Sequence, residues 1–360
     1  MKCIFTKIAV KIGSNVLTRK DGTLDITSMS ALVDQIAVLY HAGVKIVLIS
    51  SGAVASGRSE LCIKHKLDNI DERQLYSSVG QAKLINHYYD LFREHHIHVG
   101  QILTTKEDFA TRHSYLNQKN CMKVMLDNGV IPIVNENDTI SVTELMFTDN
   151  DELSGMIASM MNMEALIILS NVDGIYDGTP GKAGSHIIPM IEHNKDLSNY
   201  IQTEKSNFGR GGMLTKSTIA RKVADEGISV YIANGRRSNV LVDIISASND
   251  VPCTHFLPST ENISNIKKWM AHSEDFAKGS IRLNDCATKT IRGDKAISIL
   301  FVGITEIKGE FEKDDLIGIE DNEGRQIGIG KAAYNSTDAR KHIGQHKLKP
   351  MIHYDYMYIE

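Results

Sequence analysis

An apolar strand at residues 130–134 runs directly into a polar cluster, and a second polar cluster opens the helix that follows. The two clusters contain the side chains of Asn135, Asn137, Asp138, Asp149, Asn150 and Asp151. Open α/β sheets bind ligands where a strand end faces a helix start. Asn and Asp are also common in turns and at helix N-caps, so either cluster alone fits an ordinary turn. Two such clusters within one crossover favour a ligand site.

Strands alternate with helices up to about residue 170, and a further helix and strand follow before about residue 247. Apolar runs bounded by turn residues predict strands at residues 7–12, 44–49, 97–104, 130–134, 165–169 and 229–233. Helical periodicity predicts helices at residues 27–42, 75–92, 114–127, 153–161 and 213–225. This alternation predicts an α/β fold, with an open, mostly parallel sheet sandwiched between helices.

Beyond about residue 247, the pattern of alternating strands and helices ends. Short strands and turns follow from Gly279, with strands predicted at residues 281–283, 296–302, 315–319 and 325–330 and a hairpin turn at 321–324. A chain of 360 residues is long enough for two domains. We expect an α/β domain over residues 1–255, a connector over 256–276 and a small β-rich domain over 277–360.

Composition excludes several classes of protein. The five cysteines are scattered and form no CxxC pair, which fits a reducing compartment rather than a disulfide framework or zinc site. His95, His96 and His98 lie where a helix gives way to a strand, with no carboxylate at ligand spacing, so we expect no protein-held metal. The chain begins without a signal-peptide pattern and contains no apolar run of about 20 residues. We therefore expect a cytoplasmic protein with no membrane contact.

Two segments combine small residues with a following helix, as anion-binding segments do. SSGAVASG (50–57) follows the second strand, and GRGGMLTK (209–216) opens a helix with Lys216 in its first turn. Small side chains let backbone N–H groups approach an anion at a helix N-terminus. The first segment equally fits a packing corner and the second a surface loop. Neither matches GxxxxGKS/T or GxGxxG, so a Walker loop and a dinucleotide fingerprint are absent.

A lysine lies near the end of the first apolar strand. Lys11 requires an anionic partner if this strand end is buried, because an unpaired charge is costly away from water. The alternative is that Lys11 points to solvent where the strand emerges from the sheet.

Seven ordered motifs together resemble the glutamate 5-kinases of the amino acid kinase family. They are AVKIGSNVL, SSGAVASGR, VGQILTT, IPIVNENDT, TDNDELS, GRGGMLTK and FLPSTENISNIKKWM. The segments IRGDKAISILFVGIT and GKAAYNS resemble the PUA domain that is appended to many of these kinases. The resemblance covers nearly the whole chain, and the ordered set is far more specific than any single motif.

The resemblance implies ATP-dependent phosphorylation of the γ-carboxylate of L-glutamate, the first step of proline synthesis. It implies that Lys11 and Lys216 stabilise the transferring phosphoryl group and that Asp151 holds both lysines. Phosphoryl transfer depends mainly on positioning and charge neutralisation, which suits two lysines. A general base is not required, because the acceptor carboxylate is already ionised at neutral pH.

The resemblance also implies the remaining site residues. The amino acid would be held by Ser51, Gly52, Asn135, Asp138, Asp149 and Asn150, with Asp138 accepting from the ammonium. ATP would lie over Lys11, Ser170, Asn171, Arg210, Gly211, Gly212, Met213, Leu214, Thr215 and Lys216. Mg²⁺ is expected with the nucleotide, held mostly by phosphates and water. Asn171 and Arg210 depart from the family pattern, where an aspartate and a small residue are common.

Partners follow from the same resemblance. Proline is expected as a feedback inhibitor, and the protein is expected to be a homodimer or homotetramer. Residues 277–360 contain 13 Lys plus Arg and 13 Asp plus Glu, without the basic excess of an RNA-binding surface. The alternatives are a kinase of the same fold with another acceptor, and an RNA-binding protein with a degenerate kinase fold.

Overall fold

A computed structural model describes most of the chain. The described residues are 2–61, 63, 67–110, 112–141, 147, 149–178, 184–192, 212–247, 251–260, 269, 276–292 and 297–359. The chain divides into two compact units, Met1–Asn262 and Ile263–Glu360. No helix in the described part of the chain is both long and apolar enough to cross a bilayer.

The first unit is built on an eight-stranded sheet with the order β3-β4-β2-β1-β5-β7-β8-β6. The strands are β1 (Lys7–Ile12), β2 (Lys45–Ser50), β3 (His98–Thr104), β4 (Val130–Glu136), β5 (Ala165–Ser170), β6 (Met190–Ile191), β7 (Ser229–Asn234) and β8 (Cys253–Phe256). Neighbours pair in parallel except β7 and β8, which are antiparallel. The predicted open, mostly parallel sheet is confirmed.

Helices cover this sheet, and their apolar faces form its core. They are α1 (Ser14–Leu17), α2 (Ile26–His41), α3 (Ala53–Glu60), α4 (Asn69–Glu94), α5 (Glu107–Ala110), α6 (Arg112–Asp127), α7 (Asn150–Met161), α8 (Met213–Asp225) and α9 (Val240–Ser246). In α2, Met29, Leu32, Val33 and Ile36 pack with strand residues of β1 and β2 in one cluster. Strands buried on both faces read as continuous apolar runs, which is why β1 and β5 were readable from sequence.

Several element ends differ from the sequence prediction, and each difference has a local cause. Strand β4 extends to Glu136, because its pairing with β3 continues to the Thr104–Glu136 pair. Helix α4 begins at Asn69 rather than residue 75, because the Asp68 side chain accepts from the first-turn amides. Helix α7 begins at Asn150 rather than residue 153, because Asp149 caps it in the same way.

Helices α3 and α4 pack closely at two glycines. A Cβ on Gly80 would lie 1.8 Å from the carbonyl oxygen of Ala53, and one on Gly57 would lie 1.9 Å from that of Tyr76. These distances are far inside van der Waals contact, so the two backbones touch directly. Ala53 is the first residue of α3, so the start of α3 lies directly against α4.

The second unit contains a five-stranded sheet with the order β10-β9-β11-β12-β13. Its elements are β9 (Gly279–Leu283), α10 (Asp285–Ile291), β10 (Ile304–Gly309), β11 (Leu316–Glu320), β12 (Gln326–Lys331), α11 (Ser336–Lys341) and β13 (Met357–Ile359). The carboxylate of Asp321 accepts from the amides of Glu323 and Arg325, closing the turn between β11 and β12. The strand predicted at residues 296–302 is wrong in its described part: Phe301–Gly303 forms a 3₁₀ turn, and the strand begins at Ile304.

Candidate active site

One buried carboxylate holds two lysines at the centre of the first unit. Lys11 is the last residue but one of β1, Asp151 lies in the first turn of α7, and Lys216 lies in the first turn of α8. The Nζ atom of Lys11 lies 2.5 Å from Oδ1 of Asp151, and Nζ of Lys216 lies 2.9 Å from Oδ2. Lys11 therefore does not point to solvent, and each oxygen of Asp151 contacts one ammonium group.

Asp151 is ionised in this setting. Burial by itself would raise the pKa of this carboxyl group, since a charge loses its hydration there. The ammonium groups of Lys11 and Lys216 outweigh burial and hold the pKa of Asp151 well below its usual range. The cluster of Lys11, Asp151 and Lys216 therefore contains one anion and two cations.

Asp149 is a second carboxylate with a different environment. Its Oδ1 atom accepts from the amides of Asp151 and Glu152 as the N-cap of α7. Its Oδ2 atom is buried and accepts no hydrogen bond from the described residues. Burial, followed by the negative charge of Asp151, raises the pKa of Asp149 to about 6. A buried carboxylate oxygen without a partner is suited to a cationic ligand.

The loop between β2 and α3 presents small residues to the same region. Gly52 has φ +111°, a conformation that only glycine adopts at low cost, and it precedes the first residue of α3. No side chain of the described residues caps this helix start. Its first amides are therefore available to an anionic group, as at other helix N-termini.

Side-chain amides connect this loop to the ends of β4 and α7. The Nδ2 atom of Asn150 donates to Oγ of Ser51 (2.9 Å) and to Oδ1 of Asn135 (3.1 Å). The Nδ2 atom of Asn135 donates to Oε1 of Gln81 on α4 (2.8 Å). The contact made by Gln81 could not be predicted from the sequence, because a single glutamine on a helix belongs to no functional motif.

Asp138 is held by an arginine that sequence reasoning missed. Nη2 of Arg73, on α4, donates to Oδ1 of Asp138 and, at 2.7 Å, to Oε2 of Glu136. The other oxygen of Glu136 accepts from the amide of Phe147 (3.1 Å). Burial raises the pKa of Glu136, and the charge of Arg73 counteracts this only in part. Glu136, the last residue of β4, was not predicted as a site residue although it lies beside the predicted Asn135, and Arg73 lies in a helix with no motif.

These residues surround a cavity of about 500 Å³. The predicted site residues that line it are Lys11, Ser51, Gly52, Asn135, Asp138, Asp149, Asn150, Asp151, Ser170 and Lys216. The lining residues that were not predicted include Gly13, Ser14, Asn15, Arg58, Arg73 and Glu136. The structure thus brings both predicted lysines and all six predicted amino-acid contacts to one cavity.

The predicted nucleotide contacts are only partly at this cavity. Ser170, the last residue of β5, lines it, whereas Asn171 is exposed and does not. Gly212 is the N-cap residue of α8, and Met213, Leu214 and Thr215 form its first turn without lining the cavity. Arg210 and Gly211 lie outside the described residues.

The described part of the chain contains no group of three or more His, Cys, Asp and Glu side chains that could hold a metal ion. Of the three neighbouring histidines, His95 interacts with Asp34, its Nε2 atom lying 2.9 Å from Oδ1.

Comparison with known proteins places the chain in a family. The model of the amino acid kinase family matches residues 6–234, and that of the PUA domain matches residues 279–354. A glutamate 5-kinase from Bacteroides thetaiotaomicron is 68% identical over 360 residues, which cover 100% of both chains. The chain belongs to the glutamate 5-kinases of the amino acid kinase family. The resemblance inferred from the sequence motifs is confirmed.

More distant relatives agree with this placement. A glutamate 5-kinase from Chlorobaculum tepidum is 44% identical and covers 99% of this chain and 98% of its own. A solved isopentenyl phosphate kinase in complex with substrate matches 70% of this chain and 100% of its own, with a TM-score of 0.51 and 16% identity. The latter similarity concerns the fold alone. As a glutamate 5-kinase, the chain combines the kinase fold with a C-terminal PUA domain.

Proposed function

We propose that this protein transfers the γ-phosphoryl group of ATP to the γ-carboxylate of L-glutamate, forming L-glutamyl 5-phosphate for proline synthesis. The observation that carries the proposal is the pairing of two lysine ammonium groups with one buried aspartate at the cavity wall. Membership of the glutamate 5-kinases supports the choice of acceptor.

The two lysines would act on the charge of the transferring group. A phosphoryl group in transfer carries negative charge on its equatorial oxygens, so fixed cations lower the barrier. Asp151 would keep Lys11 and Lys216 in place and charged, because its ionised carboxylate contacts both Nζ atoms. Prior positioning matters because the groups need not reorganise during the reaction.

The reaction itself requires no proton transfer. An oxygen of the γ-carboxylate forms a bond to the γ-phosphorus, and the bond from that phosphorus to the β–γ bridging oxygen breaks. ADP leaves with the bonding electron pair. Because a glutamate carboxyl group has a pKa of about 4.3, the nucleophile is already ionised at neutral pH.

The amino acid would be held at the ends of β2 and β4 and the start of α7. Asp138 and the unpaired Oδ2 of Asp149 are acceptors for its ammonium group. The N–H group of Gly52 is a donor for a carboxylate at the start of α3. The Ser51 residue would contribute its hydroxyl group, because its own N–H already donates to the carbonyl oxygen of Ile12. Asn135 and Asn150 complete this grip, and Arg73 fixes the position of Asp138.

The nucleotide phosphates would lie near the ends of β1 and β5 and the start of α8. A Cβ on Gly13 would lie 3.0 Å from the carbonyl oxygen of Leu169 and 3.6 Å from Nζ of Lys11, so glycine keeps this cradle open. The helix start at Gly212 has no side-chain cap among the described residues, which suits an anion. Ser170, Asn171 and residues 210–216 remain the proposed nucleotide contacts. Mg²⁺ would arrive with the phosphates and neutralise part of their charge.

Two further proposals rest on the family resemblance. L-Proline would inhibit by competing near the glutamate site, and the protein would be a homodimer or homotetramer. We also propose a cytoplasmic location, supported by scattered cysteines without CxxC spacing.

The decisive experiment is a hydroxamate assay with purified protein, ATP, Mg²⁺ and hydroxylamine. We expect acyl hydroxamate with L-glutamate, none with L-aspartate, and a reduced rate when L-proline is added. Hydroxamate formed from aspartate but not from glutamate would overturn the proposal that L-glutamate is the phosphoryl acceptor.

The second alternative, an RNA-binding protein with a degenerate kinase fold, makes the opposite prediction. It requires tight, salt-sensitive RNA binding together with no ATP turnover in the same assay. The intact arrangement of Lys11, Asp151 and Lys216 favours the kinase, because a degenerate site has no reason to keep two lysines on a buried aspartate.

A further inference from the structure

A directional chain of side-chain amides ends at Gln81. The Nδ2 atom of Asn150 donates to Oδ1 of Asn135, and Nδ2 of Asn135 donates to Oε1 of Gln81. Each amide thus passes on the same polarity, with nitrogen donating to the next oxygen. Gln81 is buried on α4, and Asn135 and Asn150 line the cavity.

This polarity decides which atom Asn150 offers to a ligand. Its Nδ2 atom is directed at three acceptors: Oδ1 of Asn135, Oγ of Ser51 and, at 3.5 Å, the carbonyl oxygen of Ser50. Among the described residues, none donates a hydrogen bond to its Oδ1 atom. An amide whose nitrogen is engaged by the protein has its oxygen left to accept from a donor in the cavity.

We propose that Gln81 is a positioning residue that selects a substrate with an ammonium group. By accepting from Asn135, it fixes the orientation of that amide, which in turn holds Asn150 with Oδ1 as the acceptor. Without Gln81, Asn135 can turn its NH₂ group towards Asn150. The NH₂ group of Asn150 then loses the acceptor on Asn135, keeps only those on Ser50 and Ser51, and can turn into the cavity. A donor in that place repels an ammonium group. This inference rests on the proposed function, in which the ligand is L-glutamate.

The test compares Gln81→Met with Gln81→Glu. Methionine keeps the length of the side chain but removes the carbonyl acceptor, whereas glutamate keeps an oxygen that accepts from Asn135. We measure kcat and KM for L-glutamate and for ATP, and the Kd of glutarate, which has both carboxylates but no ammonium group. Thermal unfolding shows whether each variant is folded.

A hydrogen bond to a charged group is worth enough for a clear shift. For Gln81→Met, we expect the KM of L-glutamate to rise about 10-fold, equal to about 1.4 kcal/mol. The KM of ATP and the Kd of glutarate should change by less than about twofold, because neither ligand presents an ammonium group. For Gln81→Glu, the KM of L-glutamate should stay within about threefold of the wild-type value.

Two results would overturn the role of Gln81. Equal weakening of L-glutamate and glutarate in Gln81→Met would show a merely structural contact between α4 and β4. Equal effects of Met and Glu would show that the accepting oxygen is unimportant. If the wild-type protein formed no hydroxamate from L-glutamate, the proposed function would fail instead, so the two failures are distinguishable.

Discussion

Nζ of Lys216 lies 2.9 Å from Oδ2 of Asp151 and so joins the first turns of α8 and α7. The contact is almost completely shielded from solvent, with Asp151 only 1% exposed. An ion pair in such a place does not serve stability efficiently, because desolvation offsets most of its attraction. We therefore interpret this pair as an arrangement for binding charge in the cavity.

Replacing Lys216 by alanine should lower kcat by about 10²–10³-fold, the cost of removing one fixed group that stabilises developing charge. The KM for L-glutamate should change little, because the lysine acts on the phosphoryl group. Steady-state kinetics in the hydroxamate assay give both values. Lys222→Ala is the matched control, since it removes a lysine from the same helix away from the cavity. Parallel losses of binding and turnover in Lys216→Ala would indicate a structural lysine.

Protonation of Asp149 should lower the activity at acidic pH. Its pKa is raised to about 6, first by burial and then by the charge of Asp151. Only the ionised carboxylate attracts an ammonium group, so kcat/KM for L-glutamate should fall about tenfold per pH unit below about pH 6. The sign follows from protonation: lowering the pH through the pKa neutralises the acceptor. Rate profiles at saturating ATP and Mg²⁺ from pH 5 to 8 test this.

Asp149→Asn supplies the control for this profile. Asparagine is as good an N-cap as aspartate, so α7 should still begin at residue 150. The variant should have a low kcat/KM that no longer depends on pH between 5 and 7. An unchanged loss of activity at acidic pH in Asp149→Asn would assign the titration to another group.

The site residues that were predicted from the sequence are each recognisable from their immediate neighbours in the chain. Lys11 and Lys216 stand at a strand end and a helix start, and Asp149 and Asp151 lie in one polar cluster, so position and type were both visible. Arg73 and Gln81 act across about 60 residues of chain: Arg73 binds Glu136 and Gln81 binds Asn135. Nothing around either residue in the sequence distinguishes a helix face that meets β4 from one that meets water. Only the packing of α4 selects them.

Arg73 should stabilise the fold more at neutral than at acidic pH. Burial raises the pKa of Glu136, and removing the nearby guanidinium in Arg73→Gln should raise it further. A carboxyl group whose pKa is raised by folding does not lower the free energy of unfolding at a pH below its unfolded-state pKa. The loss of unfolding free energy grows as the pH rises towards the folded-state pKa. The loss of unfolding free energy should thus be small at pH 4 and reach about 3 kcal/mol at pH 7.5.

Urea unfolding of Arg73→Gln and of Arg58→Gln at the two pH values measures this difference. Arg58 pairs with Glu72 at 2.9 Å, but its side chain is 46% exposed, so water screens the pair. Its loss should cost less than about 1 kcal/mol at either pH. A pH-independent effect of Arg73→Gln would mean that the arginine contributes through packing rather than charge.

Replacing Gly80 by alanine should destabilise the folded protein. In the middle of an exposed helix, alanine is favoured over glycine by about 1 kcal/mol, so the default expectation is a gain. Here the added Cβ would lie 1.8 Å from the carbonyl oxygen of Ala53 and 2.3 Å from the amide nitrogen of Gly57. Both are backbone atoms, so α3 must move away. We expect a net loss of about 1–3 kcal/mol in unfolding free energy.

Movement of α3 should also displace the loop between β2 and α3. Ala53 follows Gly52 directly, so displacing the start of α3 displaces the amides proposed to bind a carboxylate of L-glutamate. Gly80→Ala should therefore raise the KM for L-glutamate several-fold while leaving the KM for ATP nearly unchanged, since no nucleotide contact is proposed on α3. Ser78→Ala, at an exposed position of α4, should be neutral in both measurements. A Gly80→Ala variant that is as stable as the wild type and binds L-glutamate normally would show that α3 can shift without consequence.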